Sequence, residues 1–227
     1  MNSMTDRQFK NAIFENLARV GKALGSPRRL ELLDVLSQSP RTVEVLADLT
    51  SMTVANASRH LRLLHAARLV DTEKHGLFVT YRLADREVTS FLLSLRTFAE
   101  HRLAEIGKVT REFLEARGEM ESVDRETLKR RVRQGNASVL DVRPPDEYAA
   151  GHIPEAISVP LAQLDSYLKD LPRNREIITY GRGPYCVLAL RTVERLRRRG
   201  FRAVRLADGI ADWQAQGLPV AVGKQRA

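Results

Sequence analysis

The chain has 227 residues, 43% apolar and 29% charged, a balance that fits two modest globular domains. A single cysteine excludes an internal disulfide framework and a cysteine-rich metal centre, no apolar run reaches the roughly 18 residues of a membrane span, and the opening MNSMTDRQFK lacks the apolar core of a signal peptide. The formal charge of +9 suits a polyanionic partner, and a cytoplasmic location is expected.

The basic excess does not say where that partner binds. Residues 1–117 carry 18 basic and 14 acidic side chains, and residues 118–227 carry 19 and 14. The motifs have to decide.

Phe9, Ile13, Leu17, Val20 and Leu24 recur at helical spacing. Gly25-Ser26-Pro27 then stops that helix and starts a second, with Ser26 as N-cap and Pro27 in the first turn, running to about Leu36. After Ser39-Pro40, Thr42 and Glu44 open a short helix, Leu49 to Thr53 make a turn, and Val54 to Ala67 form another helix. This is helix-turn-helix spacing. The second helix of the pair buries Ala57, Leu61 and Leu64 and presents Asn56, Ser58, Arg59 and Arg62, a donor-rich set suited to base edges and phosphates.

Val70 to Leu83 reads as a hairpin, with Leu77, Val79 and Tyr81 alternating on the return strand and Lys74-His75-Gly76 at a basic tip that suits the DNA backbone or minor groove. From Arg86 to Arg117 one long amphipathic helix is expected, through Val88, Leu92, Leu95, Ala99, Leu103, Ile106 and Phe113. With the first helix it makes a candidate homodimer seam.

This order, with SPRRLELLDVL, ASRHLRLLHAARLV, a wing and a long last helix, resembles the ArsR/SmtB family of winged-helix repressors over roughly residues 8 to 105. The resemblance implies a homodimer on double-stranded operator DNA. Members of that family often bind metal through a cysteine-bearing motif on the helix before recognition. Here that stretch reads Val45-Leu46-Ala47-Asp48, with no thiol. His101 and Glu105 are four apart on the last helix without a second histidine nearby, His60 reads as structural or DNA-facing, and His65 sits near the wing junction. No metal site and no cofactor is expected.

Glu119 to Asp124, polar and preceded by Gly118, marks a linker, placed at 118–123 between a DNA-binding and dimerisation domain (1–117) and a second domain (124–227). Beyond it, helices and strands alternate: helix Arg125 to Arg133, strand Ser138 to Val142, a short helix ending at Gly151, strand Ala156 to Val159, helix Leu161 to Leu171, strand Glu176 to Tyr180, helix Val187 to Arg199, strand Ala203 to Leu206 and helix Ile210 to Gln216. Such alternation implies a parallel sheet covered on both faces, with its site at the carboxyl ends of strands. The fold class is thus a mainly α winged helix-turn-helix followed by an α/β domain.

The loop Gly181-Arg182-Gly183-Pro184-Tyr185-Cys186 lies at such an end, leaves a strand and enters a helix, and holds the sole cysteine. Backbone N–H groups and the helix dipole there suit a thiolate or small anion, which Arg182 could help to hold.

LDVRPPDEYAAGHIPEAISVP, ITYGRGPYC and DGIADWQAQGLPV, within 124–220, resemble the rhodanese sulfurtransferases. In that family a cysteine directly after the central strand attacks a sulfane sulfur and carries it as a persulfide. The matching position here is Gly181, which offers no nucleophile, so that transfer activity is not expected from it. Cys186, at the far end of the loop, is a second thiol candidate, read either as packing or as a redox or resolving thiol.

The neighbouring residues have structural readings: an Arg143–Glu147 ion pair beside Gly151, Asp141 ordering backbone N–H groups, His152 within the HIP segment, and Arg195, Arg197, Arg198 and Arg199 as a solvated face. The combined expectation is a repressor whose rhodanese-like half senses, or once sensed, a reactive sulfur species. Two alternatives stand beside it: a thiosulfate or persulfide sulfurtransferase with an accessory DNA-binding domain, and a pure repressor stiffened by its second domain.

Overall fold

Helix α1 (Asp6–Leu24) starts where Thr5 and Gln8 cap each other: the Gln8 N–H donates to Thr5 Oγ1 at 3.3 Å and the Thr5 N–H donates to Gln8 Oε1 at 2.9 Å. The computed structural model describes residues 4–76, 78–118 and 121–224. The chain divides into two compact units, 1–89 and 90–227.

In the first unit, Ser26 in extended conformation precedes α2 (Pro27–Leu36). Leu32, Leu33, Val35 and Leu36 of that helix pack with Leu46 and Ala47 of α3 (Val43–Leu49) and with Ala57, Leu61 and Leu64 of α4 (Val54–Ala66), all buried. Thr53 caps α4 by accepting from the Asn56 N–H at 3.3 Å. Helix α1 buries only Ala23; Phe9, Ile13, Phe14 and Leu17 stay between 47% and 67% exposed.

The wing is a three-stranded antiparallel sheet in the order β1-β3-β2, made of β1 (Arg41–Thr42), β2 (Val70–His75) and β3 (Phe78–Leu83). Gly76 turns with φ of 62°, a left-handed conformation that glycine takes without strain. Leu77, expected on the return strand, and the side chain of His75 lie outside what is described.

The single long helix expected over 86–117 is two: α5 (Arg86–Arg102) and α6 (Ala104–Glu115). Leu103 between them is extended, with φ −115° and ψ 95°, which breaks the hydrogen-bond ladder without a glycine or proline to signal it. His101 and Glu105 therefore do not share one helix. Most of α5 and all of α6 belong to the second compact unit.

That unit is built on a five-stranded sheet in the order β4-β8-β7-β5-β6, all neighbours parallel. Its elements are β4 (Ser122–Val123), α7 (Arg125–Arg133), β5 (Ala137–Asp141), α8 (Pro145–Ala150), β6 (Ile157–Ser158), a 3-10 turn (Leu161–Gln163), α9 (Leu164–Tyr167), β7 (Glu176–Tyr180), α10 (Val187–Arg198), β8 (Ala203–Leu206) and α11 (Ile210–Ala215). Strand β4 lies inside the expected linker, and the helix expected over Leu161 to Leu171 ends at Tyr167.

Alternating residues of the strands feed two cores, as a sheet covered on both faces requires. Val139, Ile178 and Val204 face Leu128 and Trp213, whereas Leu140, Ile177 and Ala203 face Leu164, Val193 and Leu196.

Candidate functional site

Strand β7 is central, and every side chain from Ile177 to Tyr180 is fully buried. Its last residue organises the site floor. The Tyr180 hydroxyl donates to Asp141 Oδ2 at 2.6 Å and accepts from the Ile153 N–H at 3.0 Å. Burial, reinforced by the Asp141 charge, pushes the Tyr180 phenol well above the usual tyrosine range, so it stays protonated and donating.

Asp141 also holds Arg143. It accepts from the Arg143 backbone N–H at 3.0 Å and from Nη2 at 2.6 Å, and Nη2 further donates to the Gly151 carbonyl at 2.7 Å. Burial works against the Arg143 charge, and Asp141 outweighs it, with Glu147 adding to the field. The pair is wholly buried and ties the end of β5 to the turn after α8. His152 is structural: Nδ1 lies 2.8 Å from the Tyr148 carbonyl oxygen and the two rings stack at 3.7 Å.

The loop from Gly181 to Cys186 rises from the end of β7. The Cys186 N–H donates to the Gly183 carbonyl at 3.0 Å, and Cys186 is the N-cap of α10. A Cβ on Gly181 would collide with Cys186 Sγ and stand 3.0 Å from Cys186 Cβ. The thiol thus fills the space into which a side chain at 181 would project, although it is five positions later in the chain. Sequence position alone places Cys186 at the loop's far end; the tight turn brings its sulfur back over β7.

Arg182, expected to be available for an anion, is turned toward Glu147, with Nη2 donating at 2.6 Å and Nε at 3.1 Å to that fully buried carboxylate. From the other side, Gly209 lies so close to the Arg182 backbone that any Cβ there would overlap it. Asp212 accepts from the Gly209 N–H at 3.0 Å and pairs with Arg96 of α5. Tyr185 donates to Glu100, one turn after Arg96. Burial, then the Glu100 hydrogen bond, pushes the Tyr185 phenol up to about 12.

Arg96, Glu100 and Asp212 were not legible as site residues. Gly209 and Asp212 carry a helix-start signal, but nothing local marks Arg96 or Glu100, which meet the loop only through folding.

In the first unit, Arg59 and Arg62 are exposed on α4, Asn56 and Ser58 are half-buried, and Lys74 is exposed on β2. Among the described residues neither Arg59 nor Arg62 pairs with a carboxylate. His60 is buried with Leu61, and its Nδ1 has no hydrogen-bond partner. Burial, followed by the charges of Arg29, Arg59 and Arg28, holds its pKa below the ordinary histidine value. Of the basic run on α10, Arg195 and Arg199 reach Asp165, at 2.5 and 3.7 Å, and Arg197 donates to the Ala203 carbonyl. No group of three or more His, Cys, Asp or Glu side chains suited to a metal ion occurs among the described residues, and no described helix is long and apolar enough to cross a membrane.

Comparison with known proteins gives two family matches: a rhodanese-like domain over residues 124–216, and the bacterial regulatory protein, arsR family, over residues 26–72. The chain is 38% identical to the HTH-type transcriptional regulator Rv0324 of Mycobacterium tuberculosis, across 98% of this chain and 97% of that protein. It is 29% identical to a sulfurtransferase of Allochromatium vinosum, over 43% of this chain and 92% of that protein. Among solved structures, the homodimeric winged helix-turn-helix domain of Mb0332 from Mycobacterium bovis is 37% identical, covering 45% of this chain and 94% of that one, with a TM-score of 0.41.

Proposed function

Because the chain belongs to the arsR-family helix-turn-helix transcriptional regulators that carry a rhodanese-like domain, we propose that it is a homodimeric repressor whose loop Gly181–Cys186 reads a reactive sulfur species. The observation that carries the regulatory reading is the match to a transcriptional regulator along nearly the whole length of both chains.

Operator contact falls to α4 and the wing. Arg59 and Arg62, exposed and uncommitted among the described residues, supply charge for phosphates or guanine edges; Asn56 and Ser58 supply neutral donors; Lys74, exposed on β2, extends the contact along the backbone. The operator-binding elements lie within residues 1–89, and the rhodanese-like sheet begins at β4, inside the segment 118–123 expected as a connector. The exposed Phe9, Ile13, Phe14 and Leu17 on α1 are an apolar seam that a second copy would cover.

The sulfur reading rests on the loop. By the sequence resemblance, Gly181 takes the place at which rhodanese sulfurtransferases carry their nucleophile, and Cys186 supplies the sole thiol of the chain. Operator binding, measured by fluorescence anisotropy at fixed salt, tests the reading on this chain and on Gly181→Cys, before and after polysulfide. A change in affinity on sulfur treatment supports it; no change in either chain overturns sulfur sensing. Cyanide-dependent turnover of thiosulfate by this chain would instead favour a sulfurtransferase with an accessory DNA-binding domain.

A further inference from the structure

A groove of about 530 Å³ runs between α6 and the start of α10 in the second unit. Val109 and Phe113 of α6 and Val187 and Leu190 of α10 line it, together with Cys186 and Arg205. Its size is that of a small-molecule site, about 300–1,000 Å³. Val109 is 64% exposed and Phe113 38%, an apolar surface that water covers poorly.

Two polar features choose the occupant. Cys186 is one of the residues that line the groove, it is half-buried, and its sulfur occupies the space at the end of β7 that a side chain on Gly181 would fill. Arg205, half-buried, is positioned by donating from Nη1 to the Pro184 carbonyl at 3.3 Å and brings a positive charge to the groove; Glu105, the other charged lining residue, is exposed at the start of α6. An apolar body, an electrophilic sulfur and a leaving group that becomes anionic complement these walls.

We propose that this groove binds an apolar organic polysulfide, R–S–S–S–R, and that Cys186 is the sulfur-accepting atom of this chain. The inference rests on the sulfur-sensing reading and names its ligand class and its reacting residue. The Cys186 thiol loses its proton to solvent, and its thiolate attacks an outer sulfur of the chain. A Cys186–S–S–R bond forms as the adjacent S–S bond breaks, and R–S–S⁻ leaves with the bonding pair beside Arg205. The thiol is oxidised to a disulfide and the polysulfide is reduced by the same two electrons.

The test is the rate of adduct formation on the full chain, followed by intact mass, with diallyl trisulfide as the apolar donor and sodium tetrasulfide as the polar one. Replacing both wall residues, Val109→Gln with Phe113→Gln, should slow the trisulfide reaction about tenfold, the size expected for losing two apolar contacts, and leave the tetrasulfide rate unchanged. Cys186→Ser should abolish both. Equal slowing of both donors, or of neither, overturns the groove; so does an adduct with the trisulfide on Cys186→Ser.

Operator affinity measured on the same samples separates the two readings. Groove-dependent modification of Cys186 with unchanged affinity sinks the sensing function and keeps the site. Altered affinity after tetrasulfide, with no groove dependence for the trisulfide, does the reverse.

Discussion

Tyr185, in the loop above β7, donates its phenolic hydrogen to Glu100 of α5, a residue 85 positions earlier in the chain. Arg96, one turn before Glu100, pairs with Asp212 at the start of α11, so α5 is linked to the loop through Tyr185 and to α11 through Asp212. Any change of loop shape that follows chemistry at Cys186 would reach α5 through Tyr185. Tyr185→Phe removes the link and keeps the ring. Urea unfolding should show a loss of about 1 kcal/mol, and the variant's operator affinity should respond less to sulfur treatment than that of the parent.

Asp141→Asn removes the carboxylate that Arg143 pairs with in a wholly buried site. A destabilisation of about 3–5 kcal/mol is expected, read as a drop in the denaturant midpoint. Replacing an exposed pair such as Arg82–Asp71 should cost less than about 1 kcal/mol.

Gly181→Cys brings a second thiol against Cys186. The introduced Cβ would lie 3.0 Å from Cys186 Cβ, inside the roughly 3.5–4.5 Å of a relaxed disulfide, and would collide with Cys186 Sγ, so both the loop and the Cys186 side chain have to shift for the bond to form. Thiol titration after mild oxidation should find both groups consumed without dimer formation on a non-reducing gel. Persistence of two free thiols would mean that the Cys186 side chain rotates away instead.

His60 gives the DNA-binding unit a pH dependence. Its folded pKa lies below the unfolded value of about 6.5, so the unfolded chain binds a proton that the folded chain refuses. This contribution is fully present above the unfolded value and is lost as pH falls below it. The thermal midpoint of that unit should fall between pH of about 6.5 and pH of about 5, and His60→Gln should flatten the slope.

Arg59→Ala and Arg62→Ala should each weaken operator binding. If the contact is to phosphate, the slope of log K against log salt should become shallower by about 0.9 for each. Loss of affinity on one operator half-site base alone, with the slope unchanged, would assign that arginine to a base edge.

Much of this fold was readable because its signals are local. The pairing of Ser26 with Pro27, the turn before Val54 and the short apolar run of each of β5, β7 and β8 lie within a dozen residues apiece. What escaped depends on tertiary contact. Leu103 breaks a helix whose apolar period continues through it, and β4 is two residues whose strand character comes from pairing with β8. In the site, the loop itself was legible from its glycines and cysteine, whereas the return of the Cys186 sulfur to the 181 position follows from a turn geometry that sequence spacing does not encode. Arg182 was legible as a cation, but its commitment to Glu147 required knowing that α8 packs beside the loop.

Strand β4 bears on how the chain can be divided. The rhodanese-like family match begins at residue 124, immediately after Val123, whose buried side chain and pairing with Leu206 complete that side of the sheet. A fragment cut at that match would lose the strand, bare the edge of β8 and leave a row of unpaired amides open to self-association. Solubility of the isolated domain would then report the missing edge, so a fragment beginning ahead of Ser122 is the one whose behaviour speaks for the intact protein.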